Sequence, residues 1–210
     1  MTNIVMEQVV QFVEHCIDNT KKKSLVVTWY GGEPLLELRL IHDLSAKFIE
    51  ICERNDIKYA ASITTNGTLL SLKYANILKD CKVNFAQITL DGIGETNNKR
   101  RKLKNGENSF DLITNNIDLC KDIMKVSIRI NLDKNNIGDA YNMVDYISNK
   151  WGNSVHYYFA PVLIQTDFCN ASAPECYSLQ EFGEIDSLLI RKMYSSGRPI
   201  EYPYPKFIPC

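Results

Sequence analysis

The chain has 210 residues with 24 Lys and Arg against 25 Asp and Glu, a net charge of −1, so no basic excess marks a polyanionic partner and nucleic-acid binding through bulk charge is disfavoured. Its 45% hydrophobic and 23% charged residues lie near the averages of folded soluble domains, which sets aside disordered and collagen-like classes, and no apolar run reaches membrane-spanning length. The length suits one domain with a sizeable core rather than two.

The N-terminal apolar stretch carries Glu7, Glu14 and His15 and has no basic lead, so it does not read as a signal peptide and a cytoplasmic setting is expected. Ile4, Val5, Val9, Val10, Phe12, Val13, Cys16 and Ile17 recur at helical spacing, and Lys21 to Lys23 suit the carbonyl end of that helix. Leu25 to Tyr30 (LVVTWY) is aliphatic, β-branched and aromatic, the pattern of a parallel strand buried on both faces. A helix over 35–54, a strand over 59–65 ending at Asn66 and Gly67, a helix over 69–81 and a strand over 84–91 ending at Gly92 follow. Next come a helix over 109–124 with Ser109 as N-cap, an alternating strand over 125–132, a helix over 137–150, a strand over 155–160 and a last helix over 179–194. Five strands, each followed by a helix, predict a parallel α/β architecture with right-handed crossovers. The segment 197–210 holds four prolines and three aromatics without periodicity and reads as an extended connector.

Seven cysteines, at 16, 52, 81, 120, 169, 176 and 210, are odd in number and scattered, so a disulfide framework is not expected. Cys16, Cys52 and Cys120 lie in helical stretches as small buried hydrophobes. Cys169 and Cys176, on either side of Pro174, match no common zinc or iron spacing.

Parallel α/β sheets bind ligands beyond the C-terminal ends of their strands. That rule selects Gly31, Gly32, Glu33 and Pro34 after the first strand, Thr65, Asn66 and Gly67 after the second, and Thr89, Asp91 and Gly92 on the third. Ser127, Arg129, Asn131 and Asp133 lie along the fourth, with His156, Tyr158 and Pro161 near the fifth. Gly31 and Gly32 leave backbone open to a ligand, and Glu33 offers a carboxylate to an ammonium group. The same residues equally suit a tight turn, with Pro34 in the first helical turn and Glu33 favouring the helix N-terminus. Asn66-Gly67 and Asp91-Gly92 also fit turn chemistry. Arg100 and Arg101 admit a solvated basic loop, and His15, His42 and His156 read as structural. Tyr157, Tyr158, Tyr202 and Tyr204 fit either a substrate groove or aromatic packing.

The succession GGEP, TTNG, TLDG and NNKRRKLKNGENSF resembles the radical S-adenosylmethionine (SAM) superfamily, and more narrowly the SPASM-containing peptide and protein maturases, which include anaerobic sulfatase maturases. The resemblance covers essentially the whole chain. It implies an α/β fold, a partial TIM-like (β/α)6 barrel lacking its first strand and cluster loop, with residues 1–196 as the partial core barrel and 197–210 leading into a truncated SPASM region. It also implies SAM as cofactor, with Gly31, Gly32, Glu33 and Pro34 at the methionyl amino group and Asn66 at a second polar position. Thr89 would meet the ribose or carboxylate, and Arg101 or Arg129 would pair with a carboxylate. Cys210 would be the first ligand of an auxiliary cluster.

The superfamily's Cys-x3-Cys-x2-Cys, which holds its 4Fe–4S cluster, is not found among the seven cysteines. The expectation is an internal fragment, inactive alone, of an enzyme that reductively cleaves SAM to a 5′-deoxyadenosyl radical and modifies a peptide or protein. The peptide substrate rests chiefly on Pro209-Cys210. Two alternatives stand beside it: a cluster-free module that binds SAM or a peptide, and an ordinary barrel enzyme using Asp91, Glu33 or His156 as acid and base. Without a preceding strand, Leu25 to Tyr30 becomes an apolar sheet edge, and self-association is expected.

Overall fold

A computed structural model of the chain describes residues 1–20, 22–162 and 175–198. Cys169, Pro174, Tyr202, Tyr204, Pro209 and Cys210, and the connector beyond residue 198, lie outside the described residues. Helix α1 (Asn3–Asp18) leads to β1 (Ser24–Trp29), α2 (Leu38–Arg54), β2 (Lys58–Thr65), α3 (Leu72–Asp80) and β3 (Val83–Thr89). There follow α4 (Glu95–Arg100), α5 (Ser109–Cys120), β4 (Lys125–Leu132), α6 (Ala140–Trp151), β5 (His156–Pro161) and α7 (Leu179–Ser195). The strands form one parallel sheet in the order β1-β2-β3-β4-β5. None of the described helices is long and apolar enough to cross a membrane.

Local chemistry sets the helix starts. Thr2, Ser71 and Ser178 each accept a hydrogen bond from a first-turn amide, and Ser178 with Glu181 closes a reciprocal capping box. Ser109 is not the N-cap expected of it. It lies inside α5, its hydroxyl accepting from Asn97 Nδ2 at 3.0 Å and donating to Asn98 Oδ1 at 3.3 Å. Asn98 Oδ1 also accepts from Phe110 N at 2.9 Å, so a side-chain amide from the preceding helix α4 caps α5. Helix α4 was not anticipated, because six residues are too few to show a period.

The strand read as buried on both faces is half-open. Along β1 exposure alternates: Val27 and Trp29 pack against α2, whereas Val26 is 67% exposed on the opposite face. Tyr30 is 72% exposed beyond the strand end. Apolar content misled here, since the two faces of a strand are filled separately. A smaller hydrophobic cluster around Leu44, Phe48 and Ile51 joins α1 and α2 to β1, and a larger one lies over the central strands. Ile63, Ile88 and Ile128 from the central strands, fully buried, join Leu78 of α3, Ile113 and Ile117 of α5 and Ile147 of α6.

Gly67 shows how tightly the larger cluster meets the strand ends. Its φ is +80°, and a Cβ there would lie 2.8 Å from Ile88 Cγ2 and 3.1 Å from Ile113 Cγ2. Gly67→Ala is therefore expected to cost about 2 kcal/mol through the left-handed backbone and overpacking. A urea midpoint matching that of the native chain would refute this.

Cys52 and Cys120 are buried and free, as expected for small hydrophobes; Cys16, expected to be buried with them, is half-buried, and Cys81 is also buried and free. Burial pushes the Cys120 thiol up from 9.0 to about 11, and the thiol donates to Leu70 O at 3.2 Å. The thiolate is the form that folding disfavours, so the contribution of Cys120 is full below about pH 9 and is lost as pH climbs toward 11. Urea midpoints measured at about pH 8 and about pH 10.5 should fall with pH in the native chain and fall less in Cys120→Ala.

Candidate functional site

The loop after β1 opens with the exposed Gly31 and Gly32. Neither has a positive φ, and a Cβ built on either meets no atom within 4 Å. Among the described residues nothing fills the space beside their backbone, and none of them requires glycine there. Glu33 then caps a 3-10 turn over Pro34–Glu37, with Pro34 in its first position. Its Oε1 accepts from Leu35 N at 3.1 Å and from Thr65 Oγ1 at 2.7 Å, while Oε2 accepts from Asn66 N at 2.8 Å. One carboxylate thus ties the β1 loop to the end of β2. A carboxylate offers about four lone-pair positions, so with Oε1 filled twice, Oε2 keeps one for a ligand donor.

Asn66 is part of the same end. Its Oδ1 accepts from Thr68 N at 2.9 Å and Thr68 Oγ1 at 2.7 Å in an Asx turn, and its Nδ2 makes no hydrogen bond among the described residues. Asn116 of α5, which no sequence motif marks, donates to Gly67 O at 2.8 Å and Thr68 O at 3.1 Å.

A second cluster forms where β3 and β4 end. Arg101 Nε lies 2.9 Å from Asp91 Oδ2, an ion pair without hydrogen-bond alignment. Arg100 Nη2 donates to Asp133 Oδ2 at 2.7 Å, and its Nε is 3.9 Å from Asp91 Oδ2. The solvated-loop alternative for these two arginines therefore fails, because both turn inward onto largely buried carboxylates. Asn131 Nδ2 donates to Asp91 Oδ1 at 3.1 Å, and Asn131 Oδ1 accepts from Arg129 Nε at 2.8 Å. Asn97 Oδ1 accepts from Asp91 N at 3.0 Å, and Asn136 Nδ2 donates to the Asp91 and Asn131 carbonyls at 2.7 and 2.8 Å. Asn97 and Asn136 were not legible as site residues; each joins segments distant in sequence.

Arg129 differs from its neighbours. Among the described residues no carboxylate pairs with it, and its neighbours are the Asn131 amide and the Tyr158 hydroxyl. Register places Thr89 and Tyr158 on either side of it, and Ser127 between Gln87 and His156 in the layer below. Tyr158 donates to Gln87 Oε1 at 2.8 Å, and His156 Nδ1 lies 2.9 Å from Ser127 Oγ. Burial raises the Tyr158 pKa, which keeps the phenol a donor. Tyr157, one residue away, points into the core instead. The face carrying these groups also has Thr28 Oγ1 at 3.0 Å from Ser62 Oγ and a Phe85 that is 39% exposed. A closed barrel fills this face with layers of Val, Ile and Leu. Here it carries polar side chains and is only partly covered, with Ser127 buried and Phe85 exposed.

A family model described as the radical SAM superfamily matches residues 2–147. The chain belongs to the radical SAM superfamily. Fe-coproporphyrin III synthase of Methanosarcina barkeri (strain Fusaro / DSM 804) is 29% identical over 182 residues, 85% of this chain and 42% of that protein. Native anSMEcpe with bound AdoMet and Cp18Cys peptide superposes with a TM-score of 0.74 at 20% identity, over 94% of this chain and 53% of that one. Coproporphyrinogen III oxidase (HemN) from Escherichia coli gives 0.62 at 16% identity, over 91% and 46%. The two structural likenesses show a shared fold, the partial barrel of parallel strands. This radical SAM chain spans about half the length of these proteins.

The superfamily implies SAM and an iron–sulfur cluster, and the residues answer differently for each. Cys16, Cys52, Cys81, Cys120 and Cys176 lie on separate elements, and among the described residues no group of three His, Cys, Asp or Glu could hold a metal ion. Desolvation also raises the pKa of Cys52, Cys81 and Cys120, against the thiolate a cluster needs. These residues do not fit the cluster. The strand ends do fit SAM: open glycine backbone, a carboxylate with a spare lone pair and an arginine without a carboxylate partner suit a zwitterionic amino acid moiety.

Proposed function

We propose that the chain is the SAM-holding core of a radical SAM enzyme that modifies a peptide or protein in the cytoplasm. The supporting observation is the pair of opposite charges left over at the strand ends, Glu33 Oε2 and the Arg129 guanidinium. Glu33 receives the ammonium of the methionyl moiety beside Gly31, Gly32 and Pro34. Arg129 takes a carboxylate, Thr89 and the free Asn66 amide supply further polar contacts, and Arg101 acts at one remove because Asp91 already holds it. With a reduced cluster, SAM supplies radical chemistry that removes a substrate hydrogen; the chain's own residues bind, orient and keep out water. The open inner face offers hydrogen-bonding groups suited to a polypeptide, and the bound peptide of the anSMEcpe structure supports that substrate class.

A cluster-free module that binds SAM or a peptide without redox chemistry is the second reading, favoured by cysteines that do not fit a cluster. Calorimetric titration of the 210-residue chain with SAM tests the shared core of both. Saturable binding is expected, and its absence overturns the SAM-holding core in either reading, leaving a module that binds a peptide alone. Formation of 5′-deoxyadenosine by a longer chain carrying the three-cysteine motif separates them: persistent inactivity when reduced and anaerobic rejects the enzyme.

A further inference from the structure

We propose that Thr65 is a positioning residue for the cofactor, acting through Glu33; the inference rests on the SAM-binding reading above. Thr65 ends β2 and is only 3% exposed. Its hydroxyl accepts from Gly67 N at 3.1 Å, which leaves its single hydrogen for Glu33 Oε1 at 2.7 Å. The direction of both bonds is fixed, because an amide nitrogen only donates and a carboxylate only accepts.

The consequence falls on the other carboxylate oxygen. A glutamate at a loop mouth samples many rotamers, and ordering it on ligand binding lowers affinity. Thr65 and Leu35 N together occupy Oε1, which leaves Oε2 to Asn66 N and to one further donor from a ligand. The carboxylate is ordered before the ligand arrives. A β-branched side chain, stiff at χ1, suits this task at the end of a strand.

Thr65→Val keeps the shape and removes the hydroxyl. It is expected to weaken SAM binding to the 210-residue chain about tenfold, the size of one lost charge-assisted hydrogen bond, and Thr65→Ser should restore it. The second probe is 5′-methylthioadenosine, which lacks the amino and carboxyl groups; Thr65→Val should bind it as the native chain does. Equal SAM affinity in Thr65→Val and the native chain overturns the inference alone. An equal loss for both ligands also overturns it, as the mark of general damage. If the native chain fails to bind SAM, the function reading falls first. Should Thr65→Val not fold, Thr65→Ala against Thr65→Ser carries the same comparison.

Discussion

Asp91→Ala is expected to lower the unfolding free energy by about 3 kcal/mol, the low end for breaking one side of a buried ion pair. The Asp91 side chain is 8% exposed, and its carboxylate meets Arg101 and Asn131 closely and Arg100 at longer range. Removing it leaves Arg101 facing a buried hollow without its counter-charge and frees the Asn131 amide that fixes Arg129. For a chain of this size the melting temperature should fall by roughly 6–12 °C. A loss under about 1 kcal/mol in urea would place the cluster among ordinary exposed pairs and refute the account. Asp91→Asn, which retains the acceptor for Asn131, should lie between the two.

Glu33→Ala has the largest expected effect on binding. SAM affinity should fall about a hundredfold, because the variant loses the oxygen assigned to the ammonium and the tie between the β1 loop and β2 together. Leu35 N, Thr65 Oγ1 and Asn66 N all lose their acceptor. Equal calorimetric affinity for SAM in Glu33→Ala and the native chain would reject the assignment of Glu33. Melting temperature measured beside it separates loss of fold from loss of ligand contact, and Thr65→Val offers an internal scale.

The parallel strands and the segments that end them could be read from alternating βα patterning and the motifs, whereas their sequential order followed only from the family resemblance. Glu33, Asn66, Thr89 and Arg129 gather at one end because parallel strands all end on the same side. Partner choice was less legible. The Arg100 pairing with Asp133 and the Asn97 bond to Asp91 N join residues on different elements, and no local pattern encodes such contacts. Ser109 carries an N-cap residue type, yet Asn98 caps the helix from outside, so tertiary context overrode local preference. In β1 a continuous apolar run concealed an alternation of environments, since Val26 and Val27 are chemically alike and only one is covered.

The polar inner face divides labour within the sheet. Folding free energy comes mainly from residues such as Ile63, Ile88 and Ile128 on the helix side, while Thr28, Ser62, Gln87 and Tyr158 bury little apolar area. Substituting the inner set changes what the sheet can hold at small cost to whether it folds. Such a scaffold can be refitted to a new substrate one side chain at a time, which makes the open face a reservoir of evolutionary change and the covered face its ballast.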